Sequence, residues 1–344
     1  TVGLWTFLSR IFGFFRDIML AAFLGSGPVG EAFIIAFSLP NIFRRFFAEG
    51  AFNAAFIPMF KKNMHKKDQS VYFINNTLSI MIIILFVFSF IALIIMPILV
   101  LAMASGFIDD KRFDLAVFFG RITFPYIFFV SLSSLFSGIL NSYGKFGLVS
   151  ATPIFLNLLL ILSMILSHLF NWEVGTMLSI SVPLSGFLQL ILLVQASKKL
   201  GFYPKLSIPK FDGKIKKLFI IALPAILSGG VIHINLLVGR QIASYYDGAI
   251  AWLNYADRLY QLPLGVIGIA LGSVLLPKLS EKFILNNLNK MNDVINNSLK
   301  IAAILILPAS AALIILPIPI ITVLFERGEF SSLDSTNTAL ALTF

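Results

Sequence analysis

No cysteine occurs in the 344 residues, so neither a disulfide framework nor a thiolate metal site can be built. Histidine is scarce. His65, His168 and His233 stand far apart, and none falls in a ligand pattern such as H-E-x-x-H, so no metal site is expected. Charged residues make up only 12% of the chain, where a soluble domain carries about a quarter. Trp and Tyr, at 3 and 8, are few beside 36 Phe. Phe needs no polar partner and suits helices that face lipid or fill a bundle. No cleavable signal peptide is expected in the first apolar stretch, because it contains Arg10, Arg16 and Asp17.

What is present is apolar surface. Hydrophobic residues are 58% of the chain, more than one soluble core can bury, so lipid is the expected solvent of the outer face. A spanning helix needs about 20 mainly apolar residues. The pattern predicts an all-α polytopic membrane protein with nine complete spans, near 4–24, 29–59, 72–104, 113–141, 149–170, 174–197, 214–246, 248–284 and 296–325, and a tenth starting near 335. The second, seventh and eighth exceed a span and are expected to include a turn or kink. The chain opens on Thr1 and closes on Phe344 inside an apolar run, and it reads as a C-terminally truncated fragment.

The net charge of +10 is unevenly placed. The loops Lys61–Lys67, Asn141–Lys145, Lys198–Lys217 and Lys278–Lys290 are basic and fall on one side. The alternate loops, Asp109–Arg112, Asn171–Glu173, Asp247–Gly248 and Glu326–Glu329, are poor in net positive charge. Basic loops stay in the cytoplasm, which predicts a cytoplasmic N-terminus. A faint repeat is visible as well: Arg16-Asp17-Ile18 before Leu39-Pro40 resembles Arg240-Gln241-Ile242 before Leu262-Pro263. It predicts two six-helix lobes, residues 1–199 with spans one to six and a partial second lobe over 200–344, in the manner of transporters built from repeats.

Charges inside spans carry the functional information, since one at the bilayer centre costs at least ~2.5–3.5 kcal/mol and so faces a wet cavity or a partner. Span one holds Arg10, Arg16 and Asp17. Arg10 and Asp17 share a face, and Gly13 between the arginines allows a bend. Span two holds Glu31, then Arg44, Arg45 and Glu49, one turn after Pro40, which is expected to break the helix. Arg45 and Glu49 can neutralise each other at i,i+4, leaving Arg44 as the free cation. Span eight holds Asp257 and Arg258 ahead of Pro263. Arg121 and Arg240 lie nearer span ends and can snorkel. The bland reading pairs each arginine with a carboxylate. The sharper one gathers Arg10, Arg16, Arg44 and Arg258 around an oxyanion, which a planar guanidinium binds through two donors.

The segment Ser9-Arg10-Ile11-Phe12-Gly13-Phe14-Phe15-Arg16-Asp17 resembles the opening of the MurJ (MviN) lipid II flippases. Leu39-Pro40-Asn41-Ile42-Phe43-Arg44-Arg45, continuing through Ala48-Glu49-Gly50-Ala51-Phe52 to Ile57-Pro58, is similar to that family's second-span signature. Thr123-Phe124-Pro125-Tyr126, Tyr255-Ala256-Asp257-Arg258-Leu259 and Leu262-Pro263 fit its fourth and eighth spans. The resemblance runs along the whole chain. It implies the multidrug/oligosaccharidyl-lipid/polysaccharide (MOP) exporter fold of fourteen spans, of which this chain holds about ten. It also implies a cationic cavity using Arg10, Arg16, Arg44 and Arg258, with Ser9, Asp17, Glu31, Arg45, Glu49, Asp257 and Gln261 in support and Gly13, Pro40 and Pro263 as hinges. Glu31 stands where Asp is common, and Gln261 where some members have Glu.

The leading expectation is a flippase for lipid II, the undecaprenyl-diphosphate-linked peptidoglycan precursor, working without a cofactor. Membrane lipids and the cell-wall synthesis machinery are the other expected partners, and nucleic acid is not one. An exporter of another polyprenyl-linked oligosaccharide, or of drugs in exchange for cations, is the alternative. Drug export in exchange for cations favours acidic cavity residues. A membrane enzyme acting on polyprenyl phosphates needs a carboxylate cluster or a nucleophilic His, and the intramembrane acids here are isolated or beside arginines. A structural scaffold needs no intramembrane arginines.

Overall fold

The computed structural model describes residues 2–47, 51–64, 66–284 and 288–343. Among these residues every regular element is a helix. Contacts divide the chain into two compact units, Thr1–Ile250 and Ala251–Phe344.

The first unit contains α1 (Val2–Leu24), α2 (Pro28–Phe47), α3 (Ala51–Asn63), α4 (Lys67–Ile94), α5 (Met96–Met103), α6 (Lys111–Thr123), α7 (Tyr126–Ser142), α8 (Phe146–Ala151), α9 (Pro153–Phe170), α10 (Val174–Lys199) and α11 (Gly213–Ala243). Then come α12 (Ala249–Ile284), which opens at the unit boundary, α13 (Leu288–Ile315), α14 (Pro317–Phe325) and α15 (Ser332–Thr343). Helix thus stands at each expected span. Among the described residues, five helical stretches are both long and apolar enough to cross a membrane: Asp68–Ile94, Lys111–Ser142, Phe146–Phe170, Val174–Lys199 and Met291–Ile315. In α1, Arg10, Arg16 and Asp17 crowd the apolar stretch, and their burial is the subject of the site.

Prolines separate into two classes. Pro97, Pro153 and Pro317 sit in the first turns of α5, α9 and α14, where the missing N–H has no partner to lose. There each marks an interruption of a span. Pro40, Pro58, Pro183 and Pro308 lie inside continuous helices, and α12 runs unbroken through Pro263. Contrary to expectation, Pro40 therefore does not break its helix. Helix is continuous over Gly213–Ala243 and Ala249–Ile284 of the seventh and eighth expected spans.

The reason at Pro40 lies on another helix. A proline leaves the carbonyl four residues earlier without its donor, and here that is Ala36. The hydroxyl of Thr123, at the end of α6, donates to the Ala36 carbonyl at 3.1 Å. Thr123 is fully buried, so the hydroxyl replaces a backbone bond where water cannot.

Acids cap the starts of α6, α10 and α11. Asp110 accepts from the Arg112 N–H, Glu173 from the Gly175 and Thr176 N–H groups, and Asp212 from the Ile215 N–H. Each caps donors that a helix start leaves open and puts a negative charge at the positive dipole end.

In the first unit α10 packs on α7 and α9, α2 on α6, α1 on α9, and α3 on α7 and α11. One core is rich in Phe: Phe56 stacks on Phe52, Phe60 and Phe73 at centroid distances of 5.3, 5.6 and 5.6 Å. Leu135, Ile139, Leu193, Phe202 and Ile215 close around these rings. The second unit is centred on Tyr255, which meets Phe325 at 5.4 Å and Phe330 at 5.3 Å. There the Trp252 indole donates to buried Asp334 at 2.9 Å.

Candidate functional site

Two charged arrangements lie in the first unit. The first is on α1. Arg16 and Asp17 are both buried, and the Arg16 Nε and Nη2 donate to Asp17 Oδ1 at 3.0 and 2.6 Å. Arg16 Nη1 donates to Asn157 Oδ1 at 2.9 Å, and Asn157 Nδ2 donates to the Ser9 carbonyl at 3.0 Å. Asn157 belongs to α9, so one amide links that helix to α1 at two points, and Gly13 leaves room for it with nothing nearer than 3.5 Å to a Cβ placed there. Arg16 is therefore not an uncompensated cation, because the adjacent Asp17 carboxylate pairs with it. Three of its five N–H donors are committed, which leaves two without a partner among the described residues. Asn157, not singled out from sequence, is a buried amide in a mainly apolar helix, and that was its available signal.

Arg10 is half-buried, with no hydrogen-bond or ion-pair partner among the described residues. Continuous α1 passes through Gly13 without a break. Arg44 is half-buried on α2 and already engaged, so it is not the free cation expected. The Arg45 side chain and Glu49 lie outside the described residues. In the second unit, Asp257 and Arg258 are half-buried and engaged, while Gln261 is exposed.

The second arrangement is centred on Arg112, which sequence reading placed in a loop. Arg112 is 5% exposed and Glu31 1%, values that require each charge to be paired. Arg112 Nη1 donates to Glu31 Oε2 at 2.9 Å and Nη2 to Asp247 Oδ1 at 2.8 Å. Its Nε donates to Asp110 Oδ2, and the guanidinium carbon lies 4.6 Å from the Phe107 ring centre. Glu31 Oε1 accepts the Ile250 N–H at 3.1 Å. Glu31 is thus a tie between helix ends, not a residue facing open space. Burial works to raise the Asp110 carboxyl, but hydrogen bonds from the Arg112 backbone and guanidinium outweigh it and hold the group below the usual carboxylate range.

The loop between α5 and α6 is held next to this cluster. Gln241 on α11 donates to the Leu101 and Ala102 carbonyls and accepts from the Ser105 N–H and hydroxyl, all at 2.8–2.9 Å. Gly106 N–H donates to Ser244 Oγ at 2.9 Å. A Cβ on Gly106 would fall 2.5 Å from the Ser244 carbonyl carbon, so only glycine allows this backbone approach. The span-end Arg121 donates to the Leu93 carbonyl at 3.3 Å.

Residues 20–344 match the family model described as "Lipid II flippase MurJ". A Rhizobium tropici protein named "Probable lipid II flippase MurJ" is 42% identical over 98% of this chain, which spans 64% of that relative's length. A Burkholderia cenocepacia protein named "Lipid II flippase MurJ" is 32% identical over 99% of this chain and 68% of the relative. Among solved structures, "Lipid II flippase MurJ, inward closed conformation" aligns with a TM-score of 0.85 and 26% identity, covering 99% of this chain and 71% of the other. An inward-facing multidrug resistance MATE transporter of the MOP superfamily aligns with a TM-score of 0.76 at 13% identity, over 97% of this chain and 76% of that one, a likeness of fold alone. Helical content, apolar spans and these matches make the chain a multi-pass membrane protein of MOP-transporter fold, and it belongs to the MurJ lipid II flippase family.

Proposed function

We propose that the protein of which this chain is part flips lipid II from the cytoplasmic to the outer leaflet of a bacterial inner membrane. The observation that carries the reading is Arg16. It is buried in an apolar helix, fixed by Asp17 and Asn157, and keeps two N–H donors uncommitted. Relatives named as lipid II flippases give the substrate class. A diphosphate is an oxyanion that a fixed guanidinium can take through two donors. Arg10, Arg44 and Arg258 are the other proposed contacts, with Ser9, Asp17, Glu31, Arg45, Glu49, Asp257 and Gln261 in support.

In this reading six-helix lobes, residues 1–199 and the part of the second over 200–344, rock about the site by alternating access. Gly13, Pro40 and Pro263 are the proposed flexing points. The N-terminus and the lysine-rich loops face the cytoplasm. No bond is made or broken, so the arginines only replace the water around the diphosphate while the prenyl chain stays in lipid. Docking onto cell-wall synthesis enzymes at the outer face belongs to the same proposal.

The test is complementation of a strain depleted of its own lipid II flippase, with the full-length gene. Growth with wild type, and none with Arg10→Ala or Arg258→Ala at equal membrane levels, is expected. Failure of the wild-type gene at normal membrane levels would sink the lipid II reading in favour of another polyprenyl-linked cargo.

A further inference from the structure

The segment between α10 and α11 is an extended strap whose backbone is held by side chains of α4. It begins at Phe202, buried against Phe60 and Tyr143 at ring distances of 5.8 and 5.6 Å. It ends at Asp212, which caps α11 just before buried Ile215. Between these anchors the Lys205 N–H donates to Asn75 Oδ1 at 3.0 Å and the Ser207 N–H to Ser79 Oγ at 2.9 Å. Asn76 makes a reciprocal pair with Lys210: the Lys210 N–H donates to Asn76 Oδ1, and Asn76 Nδ2 donates to the Lys210 carbonyl, both at 2.8 Å. Asn76 and Ser79 are buried in a helix long and apolar enough to cross a membrane. Polar groups in such a place cost free energy unless they are bonded, and the strap is what bonds them. Pro204 and Pro209 bring no N–H to leave unmet, and both favour an extended chain before them.

This clamp fixes an unusual outer surface. Leu206, Ile208 and Phe211 are 73%, 85% and 74% exposed, far more than apolar side chains in a held segment require. Lys205, just before Leu206, and Lys210, between Ile208 and Phe211, are exposed beside them. From 198 to 217 the chain carries seven Lys against the single acid Asp212, and Asp212 is used as a cap. The strap joins the ends of two helices of a membrane protein, α10 and α11, and so stands at a membrane boundary. Apolar residues interleaved with lysines at that depth match a leaflet surface of anionic lipid, where acyl-chain ends meet phosphates.

We propose that the strap over residues 203–211 is a membrane-interface contact for anionic phospholipid. Leu206, Ile208 and Phe211 seat at the acyl boundary, Lys205 and Lys210 lie on headgroup phosphates, and Asn75, Asn76 and Ser79 hold the backbone at the depth that allows both. Contact with lipid follows from the strap itself. Its assignment to the cytoplasmic leaflet, where such lipids are read by basic segments, rests on the orientation proposed above.

The test uses full-length protein with Ser207→Cys carrying an environment-sensitive fluorophore, one copy per nanodisc, in phosphatidylcholine or in an equimolar mixture with phosphatidylglycerol. Ser207 contributes only its backbone to the clamp, so Leu206 and Ile208 stay intact. Emission is expected to shift to the blue and brighten in the anionic discs, and the effect should weaken as salt is raised. Lys205→Gln and Lys210→Gln should each lower the inserted-to-aqueous ratio in anionic discs about fivefold. Leu206→Gln with Ile208→Gln should remove the shift in both lipids, and Asn76→Ala should reduce it by releasing the strap. Aqueous emission in both lipids would overturn the proposal, as would a shift unchanged by the lysine variants or by Asn76→Ala. A single copy in a disc of defined lipid excludes a second chain or a protein partner as the source of the signal. Orientation is read separately. Labelling of Ser207→Cys by an impermeant reagent in intact cells would overturn the cytoplasmic assignment and leave the nanodisc result standing, because a disc exposes both faces.

Discussion

Arg112 and Glu31 lie 81 residues apart in sequence and 2.9 Å apart in space. The first turn of α2 and the first turn of α6 are joined by this pair, and neither side chain has appreciable contact with solvent. Glu31 spends its second oxygen on the Ile250 N–H, while Arg112 reaches Asp110 and Asp247 as well. One guanidinium therefore gathers three carboxylates, each from a different stretch of chain. An isolated buried carboxylate is costly, and a bidentate-capable cation with several partners is the arrangement that offsets it.

Removing Arg112 should be far worse than removing the whole pair. Arg112→Met leaves Glu31 buried without a cation and should destabilise the protein by roughly 3–5 kcal/mol. Glu31→Gln alone should cost less, because Arg112 keeps two carboxylates. Glu31→Gln added to Arg112→Met should recover part of the loss, since the stranded charge is gone. Thermal unfolding of the full-length protein in detergent reads all three, and a double variant equal to the sum of the singles would refute the pairing.

Asp110 gives this cluster an acid limit. Its carboxyl lies below the ordinary value of 3.8 in the folded protein, so the unfolded chain takes up the proton first as pH falls. The contribution of Asp110 is complete above the unfolded value and disappears as pH drops through the lower folded one. Asp110→Asn should therefore lower the unfolding temperature at neutral pH, and the gap from wild type should close in strong acid. A gap that stays constant with pH would mean that only the capping geometry matters.

Thr123 and Pro40 form a second testable couple. Thr123→Val removes the donor to the Ala36 carbonyl and should cost about 1–3 kcal/mol, the penalty for a buried acceptor left unmet. In a Pro40→Ala background residue 40 supplies its own N–H to Ala36, and Thr123→Val should then cost much less. Equal penalties in both backgrounds would show that the hydroxyl serves only its bond to the Gly120 carbonyl.

These couples mark where sequence reading stops. Helix positions were legible because span length and apolar runs are local properties, and the family was legible from motif spacing. Proline effects were not, because the carbonyl freed by Pro40 is met by a residue 87 positions away from it. The Glu31 partner was missed for the same reason: Arg112 looked like one more loop charge, and only the fold carries it to Glu31. Arg16 was singled out as a cation within a span, and its carboxylate partner is the adjacent Asp17. Helix geometry splays neighbours apart at the Cα, but a long guanidinium can turn back to its neighbour when both are buried.

The last prediction concerns Arg16 itself. Its Nε and Nη2 are taken by Asp17 and its Nη1 by Asn157, so the two remaining donors point in a direction fixed by both anchors. If that pair of donors meets a diphosphate, geometry matters as much as charge. Arg16→Lys keeps the charge but has no planar fork. It cannot hold Asp17 and Asn157 together while presenting two donors to a ligand. It should abolish complementation at normal membrane levels. Asn157→Ala keeps the guanidinium and its bond to Asp17 but frees Nη1 and cuts the tie to the Ser9 carbonyl. Its defect should be intermediate, with lipid II binding to the full-length protein, read by native mass spectrometry, weakened by about tenfold, as expected for one charge-assisted hydrogen bond's worth of positioning. A purely structural role for Arg16 predicts something different: Arg16→Lys and Asn157→Ala would lower the unfolding temperature and leave binding by the surviving folded protein unchanged. Loss of binding at an unchanged unfolding temperature supports an anion site at Arg16, and the reverse pattern removes Arg16 from it.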